Sequence, residues 1–288
     1  MKQKTRAPKS SLAKRQLQKF LNNKLAVIGL CVLLLIILLC VLAPVITSYD
    51  PAGVNPKEKL QGVSAEHPLG TDQLGRDILA RILYGGRLSI LIGLASAILS
   101  GILGIALGCI SGYFGGKVDA ILYFVGEIFA CFPQMILIMV IMSFLGKSVG
   151  WLIFVFVITG WVGGMRMARS KILSLKQEPF VDTCRVMGVN GWVIMFKHLL
   201  PNIVGIVTVN ITTHVAGFVL SEAGLSFLGM GVSPSVPTWG NMINAAKSLN
   251  VMVNEPMLWI VPGVVISLFV LSCNFFGDGL RDALDVTQ

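Results

Sequence analysis

The chain has 288 residues, 55% hydrophobic and only 13% charged, with a mean hydropathy of +0.79. Soluble globular chains carry about 25% charged residues, so composition excludes that class and indicates an integral membrane protein. The net charge of +9 would suit nucleic acid or anionic lipid, but the basic residues are spread along the chain and form no single face, which excludes a nucleic-acid partner.

In chain order, residues 1–24 hold eight Lys/Arg and no acid, and 25–46 follow without a charge. A run of about 20 apolar residues spans a bilayer, whereas a signal-peptide core is about 7–15 residues long. Residues 25–46 therefore read as a retained first transmembrane helix behind a cytoplasmic basic leader. Residues 47–87 read as an extracytoplasmic segment. Within it Thr71 suits an N-cap, and Leu74, Ile78, Leu79, Ile82 and Leu83 recur at helical spacing. The expectation is an amphipathic helix at the interface, with Asp77 and Arg81 paired four apart; a solvated surface helix is the alternative.

The second span, about 88–113, carries a small residue at every fourth position: Ser96, Ser100, Gly104, Gly108, Gly112 and Gly116. In lipid such a stripe reads as a helix–helix interface. The third, 118–145, contains Glu127, about 12 Å into the membrane at 1.5 Å per residue, and Pro133, which predicts a kink. An acid at that depth faces protein or water, either lining a pathway or paired with a partner subunit. The fourth span is 151–165, the fifth 202–228 with Asn210, His214 and Glu222 as polar members, and the sixth 257–276. A Gly/Pro-rich connection covers 229–256, and residues 279–288 form a short tail. With six spans and both termini cytoplasmic, 16 of the 23 basic residues fall inside and 7 outside, as the positive-inside rule requires.

Between the fourth and fifth spans, Glu178–Pro201 interrupts the apolar pattern. Pro179 suits a first helical turn, Gly188 a left-handed stop, and Asn190-Gly191 a turn. The spacing predicts one short helix before Gly188 and a second, Trp192 to Leu200, closed by Pro201. The first would present Val181 and Cys184 outward, with Asp182 and Arg185 three apart on its polar side.

Motifs for other chemistry fail. Gly146-Lys147-Ser148 lacks the earlier glycine of a phosphate loop, since Ile141 stands there; His67, His198 and His214 fit no HExxH spacing; and Gly224–Leu228 lacks the closing glycine of a nucleophile elbow. The six cysteines contain no CxxC pair, so disulfides and zinc are not expected and buried thiols are. No residue is assigned a catalytic or metal-binding role.

Read as Asp182-x5-Gly188-x11-Leu200-Pro201, the central segment resembles the EAA loop of permease subunits of ABC importers. His67–Asp77, Gly112–Asp119, Leu220–Gly231 and Asn274–Asp285 are similar to further blocks of the dipeptide/oligopeptide/nickel branch, so the likeness covers nearly the whole chain. It implies an all-α membrane protein with the type I ABC importer permease fold, six transmembrane helices and a cytoplasmic coupling helix. The permease core would be 88–278, with its coupling loop at 166–201. The implied ATPase-coupling residues are Asp182, Thr183, Cys184, Arg185, Gly188, Leu200 and Pro201. Asp182 replaces the usual Glu, and Thr183 and Cys184 stand where two alanines are typical, so contacts with the ATPase would differ in detail.

The resemblance also implies partners: a second, homologous permease, two cytoplasmic ATPases and an extracytoplasmic solute-binding protein. ATP and Mg would sit on the ATPases, and no cofactor on this chain. Glu127, Asn210 and His214 are the pathway candidates, with structural roles equally open. Short peptides are the expected cargo, and nickel or a metal chelate the alternative. An ion-driven secondary transporter with Glu127 as proton carrier and a non-transporting scaffold are the rivals from other classes.

Overall fold

The computed structural model describes residues 12–284; the start of the basic leader, 1–11, and the end of the tail, 285–288, lie outside the described residues. Among those described, the regular structure is helical throughout. α1 (Leu12–Asn22) is short and basic. The Asn23 side chain then accepts from the Ala26 N–H at 3.2 Å and so starts α2 (Lys24–Val41). α3 (Ala43–Ile46) extends this first apolar span. Where α2 ends, the Arg87 guanidinium donates to the Cys40 and Val41 carbonyls at 2.6 Å each, satisfying acceptors that a helix end leaves open.

The polar segment after α3 corrects one expectation, because no helix starts at Thr71. Its hydroxyl is committed elsewhere, donating to the Glu58 carbonyl and accepting from the Gln61 N–H at 2.8 Å. Asp72 caps a tight turn through the Leu74 N–H at 2.8 Å and pairs with Arg76 at 2.7 Å. Gly75, at φ +72, takes the left-handed position that this turn needs. The N-cap is instead Asp77, which accepts from the Ala80 N–H at 2.6 Å.

Helix α4 (Ile78–Phe114) follows and runs unbroken for 37 residues. The expected Asp77–Arg81 pair does not form. Asp77 lies 2.8 Å from His67 Nδ1, while Arg81 approaches Asp72 at 3.8 Å and donates to the Pro51 carbonyl at 3.0 Å. All of these charged groups are buried, and such burial is tolerable only because each has partners.

The third span also differs from expectation. It is two helices, α5 (Gly116–Ala130) and α6 (Gln134–Leu145), bent by 87° at the break between them. Pro133 lacks an N–H and disfavours helical backbone at Phe132, so the chain leaves the helix there. Five helices are long and apolar enough to cross a membrane, six if this bent pair counts as one span. Ser148 accepts from the Trp151 N–H at 3.2 Å and starts α7 (Val149–Leu175). α8 (Pro179–Val186) and α9 (Gly191–Val193) lead through a π-helical turn, Ile194–Leu199, into α10 (Leu200–Phe227). α11 (Trp239–Ala245), α12 (Leu249–Asn254) and α13 (Met257–Leu284) complete the chain.

The small-residue stripe of α4 packs on α7. A Cβ built on Gly104 would lie 2.5 Å from the Trp161 carbonyl oxygen, and one on Gly108 2.5 Å from that of Met165. One on Gly112 would lie 2.9 Å from the Arg169 oxygen, so three successive turns bring backbone against backbone. Gly116 lies outside the stripe, because α4 ends at Phe114 and Gly115 turns the chain at φ +67. α10 crosses α4 three turns before Gly104, where a Cβ on Gly93 would meet the Val215 carbonyl at 3.1 Å.

A second core device is polar. Glu222 is 0% exposed and accepts from Ser226 at 2.8 Å and from Ser89 at 3.2 Å. Ser89 in turn accepts from the Trp239 N–H at 3.1 Å, and the Trp239 indole donates to the Ile82 carbonyl at 3.0 Å. This knot ties α4, α10 and α11 together.

Two outcomes follow. Gly108→Val forces a branched side chain into the Met165 backbone, and overpacking of this kind costs about 1–3 kcal/mol or more; the thermal midpoint of the detergent-purified chain is expected to fall by several degrees. Asp77→Ala removes both the cap of α4 and the partner of His67, a loss of about 1–3 kcal/mol, which the same melting measurement reads.

Candidate functional site

The segment Glu178–Pro201 is built on α8. Pro179 occupies its first turn, where the missing N–H is not needed. Its end is a Schellman motif: the Val189 N–H donates to the Cys184 carbonyl at 3.0 Å, the Gly188 N–H to that of Arg185 at 3.0 Å, and Gly188 takes φ +74. Asn190 then accepts from the Trp192 N–H at 2.9 Å and opens the next helix.

Which face of α8 is offered outward differs from expectation. Val181 is 0% exposed and belongs with Ile172, Ile194 and Leu199 to a cluster against which Cys184 and Val189 pack. An amphipathic eight-residue helix buries its apolar side on whatever carries it, here the bundle. The apolar groups standing free are Val186, 89% exposed, and Met187, 76% exposed, with Phe180 beside them. Asp182 and Arg185 do pair, at 2.9 Å, but both are solvent-exposed and such a pair contributes little. Thr183 donates to the Pro179 carbonyl at 3.0 Å, inside its own helix.

The second correction concerns Leu200 and Pro201. Pro201 does not close a helix, because the chain runs helically from Gly191 to Phe227. The π-helical turn makes this possible: the Leu200 N–H bonds to the Met195 carbonyl, five residues back. Widening the turn just ahead of the proline leaves room for a ring that would strike an ordinary α-turn.

The segment is fastened to the bundle by contacts that sequence reasoning missed. Gly191 sits against the Tyr113 ring, where a Cβ would come 2.9 Å from Cε1, and Phe114 and Trp192 have ring centroids 4.8 Å apart. Lys176 donates to the Tyr113 carbonyl at 2.7 Å. Nearby, Arg169 donates to both Asp119 oxygens at 2.6 Å, and Ser111 donates to the same carboxylate. The signal available in the sequence was the aromatic pair Tyr113-Phe114 at the end of a long span.

Two clefts of about 540 and 820 Å³ flank α10, within the size range of small-ligand sites. The first is lined by His214, Gln134, Ser221, Thr159 and aromatic residues at the α5–α6 break. The second is lined by Asn210 and Asn202 together with Lys171, Asp278 and Arg281. Thr213 borders both, so a single face of α10 carries the two. Of the three pathway candidates, Asn210 and His214 thus lie on this face. Glu127 borders neither cleft and pairs within the chain, with Arg166 at 2.8 Å. Thr213, Gly217 and Ser221 were missed, although polar or small residues at intervals of three or four along the fifth span marked the face.

Comparison with known proteins agrees with this architecture. Residues 104–286 match the family model described as binding-protein-dependent transport system inner membrane component. Residues 11–62 match the N-terminal TM domain of oligopeptide transport permease C. The chain is 39% identical over 272 residues to the dipeptide transport system permease protein of Alkalihalophilus pseudofirmus, covering 94% of this chain and 88% of that one. It is 38% identical over 271 residues to a putative peptide permease protein of Brucella suis, covering 94% and 90%. It is 36% identical over 275 residues to the oligopeptide transport system permease protein of Bacillus subtilis, covering 96% and 90%. The chain belongs to the family of inner membrane components of binding-protein-dependent transport systems.

Proposed function

We propose that this chain is one of two homologous permease subunits of an ATP-driven importer of short peptides, and that Glu178–Pro201 is its contact with a cytoplasmic ATPase. The observation that carries the reading is the form of that segment. It is anchored by a buried inner face around Val181, and its tip, Val186 and Met187, is apolar and uncovered. An uncovered apolar tip on a rigid mount suits insertion into a groove on a partner. The relatives from A. pseudofirmus, B. suis and B. subtilis are named as dipeptide, peptide and oligopeptide permeases, which supports the same cargo here.

In this reading the α1 end, the segment 176–200 and the end of α13 face the cytoplasm, and the polar segment before α4 faces the solute-binding protein. The basic residues of the leader and of the loop 166–200 favour that orientation. One chain supplies the α10 face with its two clefts, and the second permease supplies the opposite wall. ATP and Mg belong to two ATPase subunits, and this chain contributes no catalytic group. ATP binding shifts the population between inward- and outward-open states because the partners touch α8 differently in each.

The test is co-purification followed by reconstitution. A tagged chain is expected to bring with it a second permease and two ATPases. The resulting proteoliposomes should accumulate a labelled dipeptide only with ATP on the ATPase side and binding protein on the other. Uptake by the chain alone without ATP would instead indicate an ion-driven transporter. Within that assay, Gly188→Leu places a side chain at a left-handed residue at a cost of about 1–2 kcal/mol. The expected result is normal assembly with uptake reduced by about tenfold or more for each ATP hydrolysed; wild-type uptake by this variant would remove the coupling role.

A further inference from the structure

The first cleft combines features that neither packing nor coupling uses. Besides Thr159 and Thr213, whose hydroxyls bond within their own helices, its polar lining is Gln134, His214 and Ser221, and among the described residues none of these three has a hydrogen-bond partner. Polar groups on membrane-embedded helices are costly when unsatisfied and are expected to point at protein, water or cargo. Phe129, Phe132 and Phe218 supply aromatic surface beside small and aliphatic residues; the His214 ring meets Phe218 edge-on with centroids 6.1 Å apart. No Asp, Glu, Lys or Arg borders this cleft, in contrast to the second, which holds Lys171, Asp278 and Arg281.

The space is made by missing side chains. A Cβ built on Gly217 would meet nothing within 4 Å, and one on Gly163 only His214 Cε1, at 4.0 Å. Both glycines border the cleft. The wall at the α5–α6 break is non-helical backbone, which at membrane depth is tolerated where it is buried in protein or lines a cavity.

Taking the peptide-importer reading as its premise, we propose that this cleft is a subsite for the peptide bond itself. A glutamine amide offers N–H donors and a carbonyl acceptor, a neutral imidazole one of each, and a serine hydroxyl can serve as either. That set matches an uncharged amide, with its N–H and C=O, and brings no charge to neutralise a terminal ammonium or carboxylate. The three phenylalanines supply an apolar surface for the adjoining side chain. Because every peptide carries the amide, such a subsite accepts cargo without reading its sequence.

The experiment compares a labelled dipeptide with its depsipeptide, in which an ester oxygen replaces the amide N–H. Uptake of each is measured at saturation in proteoliposomes of the full complex, with one binding protein throughout. The wild-type complex is expected to prefer the amide, and Gln134→Leu/His214→Leu to lower the amide-to-ester ratio by about three- to tenfold, the worth of one or two neutral hydrogen bonds. An unchanged ratio in the double variant overturns the proposal. Gly217→Phe fills the same space without removing a polar group. It is expected to reduce uptake of both compounds by about tenfold in an assembled complex of normal melting temperature, and it decides the matter if the double variant does not assemble. Uptake within about twofold of wild type, or loss of the second permease from the complex, overturns the proposal, the latter because the cleft would then be filled by protein. Absence of any ATP-driven peptide uptake by the wild-type complex is a separate result that removes the importer reading along with its subsite.

Discussion

Where α4 crosses α7, the glycines at 104, 108 and 112 bring one backbone against another, with only hydrogen atoms where side chains would stand. Helices in lipid gain little from burying apolar surface against each other, because the lipid is equally apolar. Close packing therefore supplies the association. The contact is specific in register, since a shift of one residue would put Leu103, Leu107 and Ser111, or Ile105, Cys109 and Tyr113, where the glycines stand. It also fixes what lies beyond the contact: Tyr113 and Phe114 under the segment Glu178–Pro201, and Arg169 gripping Asp119. The bent α5–α6 pair and the clefts beside α10 are arranged around this rigid pair.

Much of this could be read from the sequence, for identifiable reasons. The small-residue stripe has a period and only one physical use in a membrane helix, so the α4 interface was legible before its partner was known. Gly188 was legible because a helix stop in the left-handed region strongly favours glycine. What stayed hidden depended on tertiary context. Thr71 has the chemistry of an N-cap but is bound to Glu58, and Asp77 took its place. Val181 and Cys184 lie on an apolar face whichever way α8 is turned, and periodicity cannot say whether that face meets the bundle or a partner. Pro201 ends helices as a rule, and a π-helical turn five residues long in its hydrogen bonding is not written in residue types.

Glu222 shows a similar limit. Like Glu127 it is an acid in an apolar span, though only Glu127 was a pathway candidate, and the two have opposite surroundings. Glu127 remains partly exposed and meets Arg166, whereas Glu222 is sealed in the core by two serines and sets where the connection carrying Trp239 lies. The difference arises from Ser89, 133 residues away in the chain. A carboxyl that must satisfy its oxygens without water becomes a fixed point of the structure, and its neighbours inherit that rigidity.

The unbroken length of α4 has a mechanical consequence. At about 1.5 Å per residue, its 37 residues form a rod of roughly 55 Å, and the segment Glu178–Pro201 rests on one end through Tyr113 and Phe114. Because α7 is locked alongside by backbone contact, the two helices resist bending far more than either alone. A tilt of about 5° imposed at one tip would carry the opposite tip through roughly 5 Å, close to one helical turn. In the importer proposed above such a pair would serve as a lever arm with gain: a small displacement at the end where it is applied would become, at the far side, about the width of an extended chain.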